Sequence, residues 1–485
     1  MPQNGFDLST AAVQEMIRQG FQPDFPPAAQ EQLRGIRAHP EAPPSDANTR
    51  DMRQLPWSSI DNATSRDLDQ IEVAERVPGG IRVMVAIADV DSKVGIGTPL
   101  DQHASGETTT VYTVSRVFPM LPEELSTDLT SLNENVDRLA IVIESLVGAD
   151  GTVSAHDIYR ALVRNKAQLS YEEVGPWLEN SGAAPAKLAA SPELAAQLKL
   201  QDEAAQALRV QRYKLGALNF ERIEAQPVLT DGKVTGISAH KKNRASDLIE
   251  DFMIAANEAM AQTLKTAGVS GIRRVVKSPE RWQRIAELAQ RYGDNLPADP
   301  DSGALNGFLE KRRAADPVHY PDISLAVLKL MGPGEYVLAR PGDQDQGHFG
   351  LAAHDYTHST APNRRFADLV TQRLIKAVLA KQPAPYSDSD LAAIANNCTL
   401  KEDAARKVER AMNKRAAAVA LHGRIGESFA AVVTGVTPSG VFVRVLDLPV
   451  EGRLMRNSEG LDVGDQVRVT LINTDPQRGF IDFAR

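Results

Sequence analysis

The chain has 485 residues, and its 42% hydrophobic and 24% charged residues are typical of a soluble globular protein with more than one domain. The single cysteine, Cys398, excludes internal disulfides and multi-cysteine zinc sites, and we expect no disulfide-linked partner. The formal net charge of −9 argues against a protein that coats nucleic acid with its whole surface, but it is compatible with an enzyme that has a local basic channel.

The N-terminal sequence MPQNGFDLST lacks the basic and apolar regions of a signal peptide. No apolar run in the chain is as long as a membrane span. We therefore expect a cytoplasmic protein with no membrane partner.

The first 50 residues predict a small helical unit. Residues 10–19 have the apolar spacing of a short helix, and a second helix is expected to begin near Pro26, because proline is favoured in a first helical turn. The polar, proline-bearing residues 39–51 are typical of a linker. We predict a helical N-terminal domain with its linker over residues 1–50, and its two helices also fit a helix-turn-helix.

Three aspartates, Asp61, Asp67 and Asp69, occur within nine residues in the stretch SSIDNATSRDLDQIEVAERV. Asp67 and Asp69 share one face if the backbone is extended, and Asp61 can fold back on a short loop. Carboxylates bind the metal ions that polarise a phosphodiester and activate water, so the pattern fits a metal-dependent phosphodiesterase. A solvated acidic loop explains the same pattern, and the three residues alone do not separate the two interpretations.

A β-hairpin is predicted directly after the last of these aspartates. Ile71 and Val73 alternate with Glu72 and Ala74, PGG at 78–80 is a turn signal, and IRVMVAIADV then reads as an apolar strand. Further along, residues 185–215 and 247–264 predict helices, and Ser387 is a candidate N-cap of a long helix that ends near Leu421. The aspartates therefore belong to a mixed α and β region.

The tail from residue 425 consists of short β-rich runs separated by turns, which predicts a small all-β barrel. It resembles the S1 RNA-binding domain, an OB-fold, in its segments GES, VTGVTPSGVFV, VEG, VGDQVRV and DPQRGFIDF. Phe429 and Phe442 are candidates for stacking on RNA bases. Each of them fits the barrel core equally well.

Several longer motifs occur in a fixed order along the chain: IDNATSRDLDQ, VAIADV, VYTVSRVFPMLPEELSTDLTSLNENVDRLA, LIEDFMIAANEAMA and HFGLAAHDYTHSTAPNRRFADL. With the S1-like tail, this order resembles the ribonuclease II family and its RNB catalytic domain. Known members of that family hydrolyse single-stranded RNA processively from the 3′ end, release nucleoside 5′-monophosphates and use Mg²⁺. The resemblance implies the same activity, metal and RNA partner here.

The resemblance also implies the architecture. We expect an α+β fold in which a mixed α/β RNB catalytic domain covers residues 51–424 and a five-stranded OB-fold (S1) barrel covers residues 425–485. We expect the chain to act as a monomer. The paired cold-shock domains that usually precede the RNB domain do not fit into the N-terminal segment.

Site residues follow from the match, residue by residue. Asp61, Asp67 and Asp69 correspond to the first three catalytic, metal-binding aspartates, and Arg364 corresponds to the catalytic arginine of an S-P-I-R-R-Y-type motif. An invariably charged guanidinium suits the stabilisation of negative charge in a transition state. A structural ion pair between Arg364 and Asp368 is the alternative for this arginine.

Three further residues are implied to contact RNA. Tyr112 corresponds to a tyrosine that stacks near the 3′-terminal base, and Arg365 is expected to bind the RNA backbone. Glu409 corresponds loosely to a glutamate of the C-terminal helix that faces RNA. Without the resemblance, a tyrosine such as Tyr112 is more often a core residue.

The chain departs from the family pattern at several positions. Gln70 stands where the family has a fourth aspartate, so this position offers the metal an amide oxygen without charge. We expect weaker Mg²⁺ binding, and Mn²⁺ as a possible substitute. Asp91 is an alternative source of the missing charge, and the S-P-I-R-R-Y-type motif is changed to Ala361, Asn363 and Phe366.

Other functions remain open at this stage. His354 and His358 have the spacing of a zinc hydrolase helix, although Asp355 replaces the usual glutamate. The loss of a ligand at Gln70 also fits a catalytically weakened RNA-binding protein of the same fold. A phosphorolytic exonuclease carries S1 domains too, but its catalytic core differs from this sequence.

Overall fold

The computed structural model of this chain describes residues 6–39, 48–221, 224–230, 233–240, 242–317, 319–344, 347–438, 440–446, 448, 450–462 and 464–485. Most of the predicted linker, residues 40–47, lies outside the described residues. No helix within the described ranges is long and apolar enough to cross a membrane.

Twelve α-helices lie in the described ranges. They are α1 (Leu8–Arg18), α2 (Pro27–Ala38), α3 (Pro99–Glu107), α4 (Tyr171–Leu178), α5 (Ala186–Ala190), α6 (Pro192–Lys214), α7 (Arg244–Thr266), α8 (Trp282–Arg291), α9 (Ser302–Ala315), α10 (Tyr320–Met331), α11 (Phe366–Leu379) and α12 (Asp388–Leu421).

The strands of the same ranges form one large sheet, three two-stranded sheets and a barrel. They are β1 (Thr49–Asp51), β2 (Ser58–Asp61), β3 (Gln70–Val77), β4 (Gly80–Ala88), β5 (Val111–Tyr112), β6 (Val117–Phe118), β7 (Asp137–Val147), β8 (Val153–Arg164), β9 (Ala167–Ser170), β10 (Glu224–Thr230), β11 (Lys233–His240), β12 (Gly271–Val275), β13 (Glu335–Ala339), β14 (Ser428–Thr437), β15 (Gly440–Val445), β16 (Glu451–Arg456), β17 (Gln466–Asp475) and β18 (Phe480–Ala484).

The large sheet has seven strands in the order β1-β8-β7-β4-β3-β2-β9. Its two outermost pairs, β1 with β8 and β2 with β9, are parallel, and the inner pairs are antiparallel. Strands β3 and β4 confirm the predicted hairpin. Strand β3 begins at Gln70, directly after the aspartates. Gly80 turns this hairpin at φ +156°, and an added Cβ there would lie 2.1 Å from the carbonyl oxygen of Val147.

Helices α6 and α7 pack on one face of this sheet, where Val85 and Ile143 meet Leu208 and Phe252. Residues 71–74 of β3 are all buried. Their alternation of apolar and polar residues therefore does not mark a solvent-facing side, because both faces of the strand are covered. Glu72 is consequently fully buried.

The two N-terminal helices confirm the sequence prediction and pack on different elements. Helix α1 contributes Met16 to a core cluster with Val408 and Met412 of α12, and the β5 residue Val111 joins the same cluster. Helix α2 contacts α3, where Gln32 accepts a hydrogen bond from the backbone of Leu100. The helix-turn-helix interpretation and the predicted domain boundaries stay predictions.

Strands β14 to β18 close into a five-stranded barrel, which confirms the predicted fold class. Ala418 and Leu421, at the end of α12, are part of the barrel's apolar core. A second attachment lies on α10, where Asp322 pairs with Arg444 of β15. The barrel is therefore anchored to α10 and α12 through packing as well as charge.

The N-cap of α12 gives a test of the long helix. Ser387 and Asp390 form a capping box, so Ser387→Ala removes a side-chain acceptor from the first turn. We expect the free energy of unfolding to fall by about 1 kcal/mol. Urea denaturation measures this change, with Ser105→Ala inside α3 as the control. Equal effects of the two substitutions would contradict the capping role.

Candidate active site

The carboxylate of Asp69 lies at the centre of the predicted site. It precedes β3, is 2% exposed, and accepts a hydrogen bond of 3.2 Å from the backbone N–H of Asn363. Its other oxygen lies 3.5 Å from Nε of Arg364. Burial raises the pKa of Asp69 to about 7; the guanidinium of Arg364 opposes this shift and the charge of Asp67 adds to it. This carboxylate therefore lacks full compensation and attracts positive charge.

Asp61 and Asp67 lie beside it, at the end of β2 and in the loop that follows. One oxygen of Asp61 accepts hydrogen bonds from the backbone of Asn62 and the hydroxyl of Ser65, at 2.7 and 2.9 Å. Burial raises the pKa of Asp61 above its usual range, and the charge of Asp67 acts in the same direction. The structure thus brings the three predicted aspartates into one electrostatic environment.

Arg364 reaches this environment from a distant loop. Its carbonyl accepts a hydrogen bond of 2.9 Å from the backbone N–H of Thr110, which ties the loop to the segment before β5. The side chain is 44% exposed. The guanidinium therefore faces Asp69 and solvent together, so a phosphate can approach it from the open side.

The ion pair proposed as an alternative for Arg364 is made instead by its neighbour, Arg365. Two nitrogens of Arg365 lie 2.8 and 2.7 Å from the two carboxylate oxygens of Asp368. Asp368 also accepts a hydrogen bond from the backbone N–H of Ala361. This bidentate pair holds the loop in place, and the expectation that Arg365 also binds the RNA backbone stays a prediction.

Tyr112 and Glu409 meet at the edge of the site. The Tyr112 hydroxyl lies 3.4 Å from a carboxylate oxygen of Asp67, and its backbone N–H donates to Glu409 at 3.2 Å. Tyr112 is 43% exposed, so one part of its ring faces solvent. Glu409 of α12 thus positions the backbone of Tyr112, and direct contact of either residue with RNA stays a prediction.

The two phenylalanines of the barrel differ in position. Phe429 is 6% exposed and packs edge-on against Phe483, with ring centroids 6.3 Å apart. Its placement in the barrel core is a correction to the base-stacking prediction, and the alternation along β14 explains it, because this residue points inward. Phe442 of β15 is half-buried, and its stacking role stays a prediction.

The zinc interpretation does not agree with the structure. Residues 354–358 are not helical, so His354 and His358 do not lie one turn apart on a helix. His358 is half-buried beside Tyr336, whose hydroxyl is 2.8 Å from Nδ1 of the histidine. Over the part of the chain that the structure describes, no three Asp, Glu, His or Cys side chains form a group that could hold a metal ion.

The chemistry of the aspartate site nevertheless fits a divalent ion. Two of its carboxylates, Asp61 and Asp69, have raised pKa values because of burial and the charge of Asp67, and a hard cation relieves both effects. Gln70 is half-buried at the first position of β3. Asp91 does not replace its charge, since its carboxylate pairs with Arg373 and Lys376.

Comparison with known proteins decides the family. The RNB domain model matches residues 49–381, and the model of the RNase II-type exonuclease C-terminal S1 domain matches residues 427–485. The chain belongs to the RNB-domain family. The predicted resemblance to ribonuclease II is thereby confirmed, and the RNB-domain family is one of metal-dependent nucleases.

Two relatives of this chain in the RNB-domain family are both named Ribonuclease R. Ribonuclease R of Aquifex aeolicus is 29% identical over 482 residues, which covers 93% of this chain and 67% of that protein. Ribonuclease R of Escherichia coli is 30% identical over 505 residues, which covers 95% of this chain and 60% of that protein. The chain therefore spans only 60 to 67% of the length of these two curated relatives.

The fold agrees with RNase R of Mycoplasma genitalium in complex with ribose methylated single-stranded RNA. The TM-score is 0.88 at 22% identity, and the match covers 99% of this chain and 78% of that chain. A complex of the same protein with double-stranded RNA matches with a TM-score of 0.87 at 23% identity. These matches support the RNB fold and its S1 barrel.

Sequence reasoning paired Asp368 with Arg364 instead of Arg365, and it did not identify Glu72 as a buried carboxylate close to the site. Asp368 fixes the arginine loop, and its spacing of three from Arg365 was the available signal. Glu72 follows Gln70 by two residues on the same strand, and burial raises its pKa well above the usual range, with a further contribution from Asp61. A carboxylate within an otherwise apolar buried strand was the signal for Glu72.

The raised pKa of Asp69 predicts a pH-dependent stability in the absence of divalent ions. Between its ordinary pKa of 3.8 and the folded value of about 7, the folded state retains a proton that the unfolded state has released. This contribution is therefore present at low pH and is lost as the pH rises through about 7. Asp69→Asn cannot lose a proton, so it should gain stability relative to the unsubstituted chain as the pH rises.

Thermal unfolding in chelator between about pH 5 and pH 8 measures this difference, because the window spans the folded pKa. Asp299→Asn, at an exposed position, is the control and should follow the unsubstituted chain. A difference between Asp69→Asn and the unsubstituted chain that stays constant with pH would contradict the raised pKa.

Proposed function

We propose that this chain is a processive 3′→5′ exoribonuclease that hydrolyses single-stranded RNA to nucleoside 5′-monophosphates. Membership of the RNB-domain family supports the proposal, as do the relatives named Ribonuclease R. The single observation that carries it at this site is the buried Asp69 carboxylate facing the half-exposed guanidinium of Arg364. The first attracts a cation, the second offers a positive charge to a phosphate, and phosphodiester hydrolysis needs both.

Asp61, Asp67 and Asp69 would hold Mg²⁺, with Gln70 contributing an amide oxygen. A bound divalent ion supplies polarisation of the phosphate and a lower pKa for a water molecule. Mn²⁺ is proposed as a substitute, because carboxylate and carbonyl oxygens suit Mn²⁺ as well as Mg²⁺. The carboxylates of this chain orient that ion and compensate its charge in a largely buried environment.

Arg364 stabilises negative charge on the scissile phosphate. Its guanidinium carries a charge at every relevant pH, and its planar fork suits two phosphate oxygens. The bidentate pair of Arg365 with Asp368 keeps the preceding residue in position, since both arginines belong to the same turn. Tyr112 supplies an exposed ring face beside Asp67, which is suited to stacking on the last base.

The partner proposed for this chain is single-stranded RNA, which the barrel and Phe442 help to hold. The Mycoplasma genitalium protein was solved with ribose methylated single-stranded RNA and with double-stranded RNA. We propose that the chain acts as a monomer in the cytoplasm.

The direct test is the release of nucleotides from labelled single-stranded RNA. With Mg²⁺ or Mn²⁺ the chain should release nucleoside 5′-monophosphates, and a chelator should stop the release. Added inorganic phosphate should leave the product unchanged, because water is the attacking group. Nucleoside diphosphates would instead indicate phosphorolysis, and RNA binding without any release would contradict an enzyme.

Asp69→Asn should lower the cleavage rate by at least about a hundredfold and leave RNA affinity nearly unchanged. The carboxylate serves the metal and the chemistry, whereas RNA binding is spread over many contacts. Single-turnover cleavage and RNA affinity in chelator measure the two quantities, with Asp299→Asn as the control. If Asp69→Asn releases mononucleotides at an undiminished rate, Asp69 is not part of the catalytic site.

Gln70→Asp should tighten Mg²⁺ binding several-fold, since it adds one negative charge to the ligand set. Isothermal titration with Mg²⁺ measures this binding without RNA, and the metal concentration for half-maximal cleavage should fall in parallel. Gln290→Asp adds the same charge at an exposed position of α8 and is the control. An equal shift in both variants would mean that net charge, rather than coordination at residue 70, is responsible.

A further inference from the structure

Three neighbouring side chains carry buried oxygen atoms that have no hydrogen-bond partner within the described ranges. These atoms are both carboxylate oxygens of Glu72, the hydroxyl oxygen of Ser58 and the amide oxygen of Gln201. Each of the three residues is fully buried. Buried polar atoms are nearly always satisfied in folded proteins, so four such atoms on three residues require an explanation.

The three side chains converge on one place between the sheet and α6. Ser58 of β2 is the direct cross-strand partner of Glu72 of β3, so the two side chains lie on the same face with Cβ atoms about 4.5–5.5 Å apart. The amide nitrogen of Gln201 in α6 donates to the backbone carbonyl of Glu72 at 3.3 Å, which brings the amide group of this side chain next to the same residue.

This place adjoins the candidate active site. Tyr171 begins α4, and besides burial the charges of both Asp61 and Glu72 raise the pKa of its hydroxyl. The phenol therefore lies within the electric field of the catalytic aspartate and of the buried glutamate. The cluster is distinct from the proposed Mg²⁺ ligands but lies near them.

The composition of the cluster determines what it can bind. When Glu72 is ionised, the Ser58 hydroxyl is the one donor among these four oxygens, so it can satisfy only one of the three acceptor oxygens. An ionised carboxylate that is buried without a partner is strongly unfavourable. A single positive charge would satisfy the carboxylate and use the neutral oxygens as further ligands.

We propose that Glu72, Ser58 and Gln201 bind one monovalent metal cation, potassium or sodium, between β2, β3 and α6. One carboxylate balances one positive charge, and the hydroxyl and amide oxygens complete a neutral ligand set. Mg²⁺ fits this set poorly, because it retains several waters and demands near-octahedral geometry, whereas this cluster is fully enclosed.

The cation joins the two strands that carry the catalytic residues. Strand β2 ends at Asp61, β3 begins at Gln70, and the cation is held by the paired residues Ser58 and Glu72 of the same two strands. Its role is to position this strand pair. The inference does not depend on the proposed reaction, and its failure would leave the nuclease proposal untouched.

Thermal unfolding of the full chain in chelator tests the site. The melting temperature is compared in potassium, sodium and tetramethylammonium chloride at equal ionic strength. Potassium or sodium should raise the melting temperature by about 2 °C or more over tetramethylammonium, which is too large to enter the cluster. Glu72→Gln should abolish this difference between salts, because it removes the charge and keeps the shape.

Glu144→Gln is the matched control, since Glu144 lies on the same sheet but is already bonded to the hydroxyl of Tyr159 at 2.8 Å. It should keep the difference between salts. Anomalous scattering from crystals grown in rubidium chloride gives a second readout and should place the ion within ligand distance of Glu72, even if Glu72→Gln fails to fold.

Three results would overturn the proposal. Identical melting temperatures in all three salts would mean that Glu72 is neutralised by a proton. A difference that persists in Glu72→Gln would place the cation elsewhere. Stabilisation by Mg²⁺ alone that is lost in Glu72→Gln would mean a divalent site.

Discussion

The arrangement of the site follows from a single constraint: the Asp69 carboxylate is buried next to other carboxylates and must be compensated. One backbone N–H and one guanidinium compensate it in part, and both come from the loop that contains Asn363 and Arg364. That loop is almost three hundred residues away in sequence, so the site exists only when the β3 hairpin and the arginine loop are docked together. The remaining imbalance of charge is what makes the location suitable for a cation.

The loop owes its position to a second buried pair. Asp368, in the first turn of α11, binds both Arg365 and the backbone of Ala361, and thereby fixes the turn on both sides of Arg364. A carboxylate in the first turn also interacts favourably with the helix dipole. The two adjacent arginines therefore have different environments: Arg365 is paired with the buried Asp368, and Arg364 remains half exposed to solvent.

Local signals in the sequence were sufficient for much of the fold. The hairpin after Asp69, the N-cap at Ser387 and the all-β tail depend on alternation, caps and turns, and all are found in the structure.

What the sequence left open depended on tertiary placement. In the sequence, Arg364 and Arg365 are equally good candidates for an ion pair with Asp368. Only the position at which α11 begins places Arg365, rather than Arg364, within reach of this carboxylate. The side chain of Phe429 points into the barrel core, whereas that of Phe442 is only half-buried. The alternation of residues along a strand does not by itself tell which of its two faces lines the core. Glu72 resembled an ordinary polar position, because the cover provided by α6 on its face of the sheet is not written into β3 itself.

Helix α12 has one more consequence. Its last turn lies in the barrel core through Leu421, its middle meets Tyr112 through Glu409, and its flank carries α1. Glu409 and Leu421 are separated by about three turns of one continuous helix, a length over which helices bend little. The helix is thus a rigid connection between the barrel and the edge of the aspartate site, so a displacement of the barrel together with the end of α12 would also move Glu409 and the backbone of Tyr112.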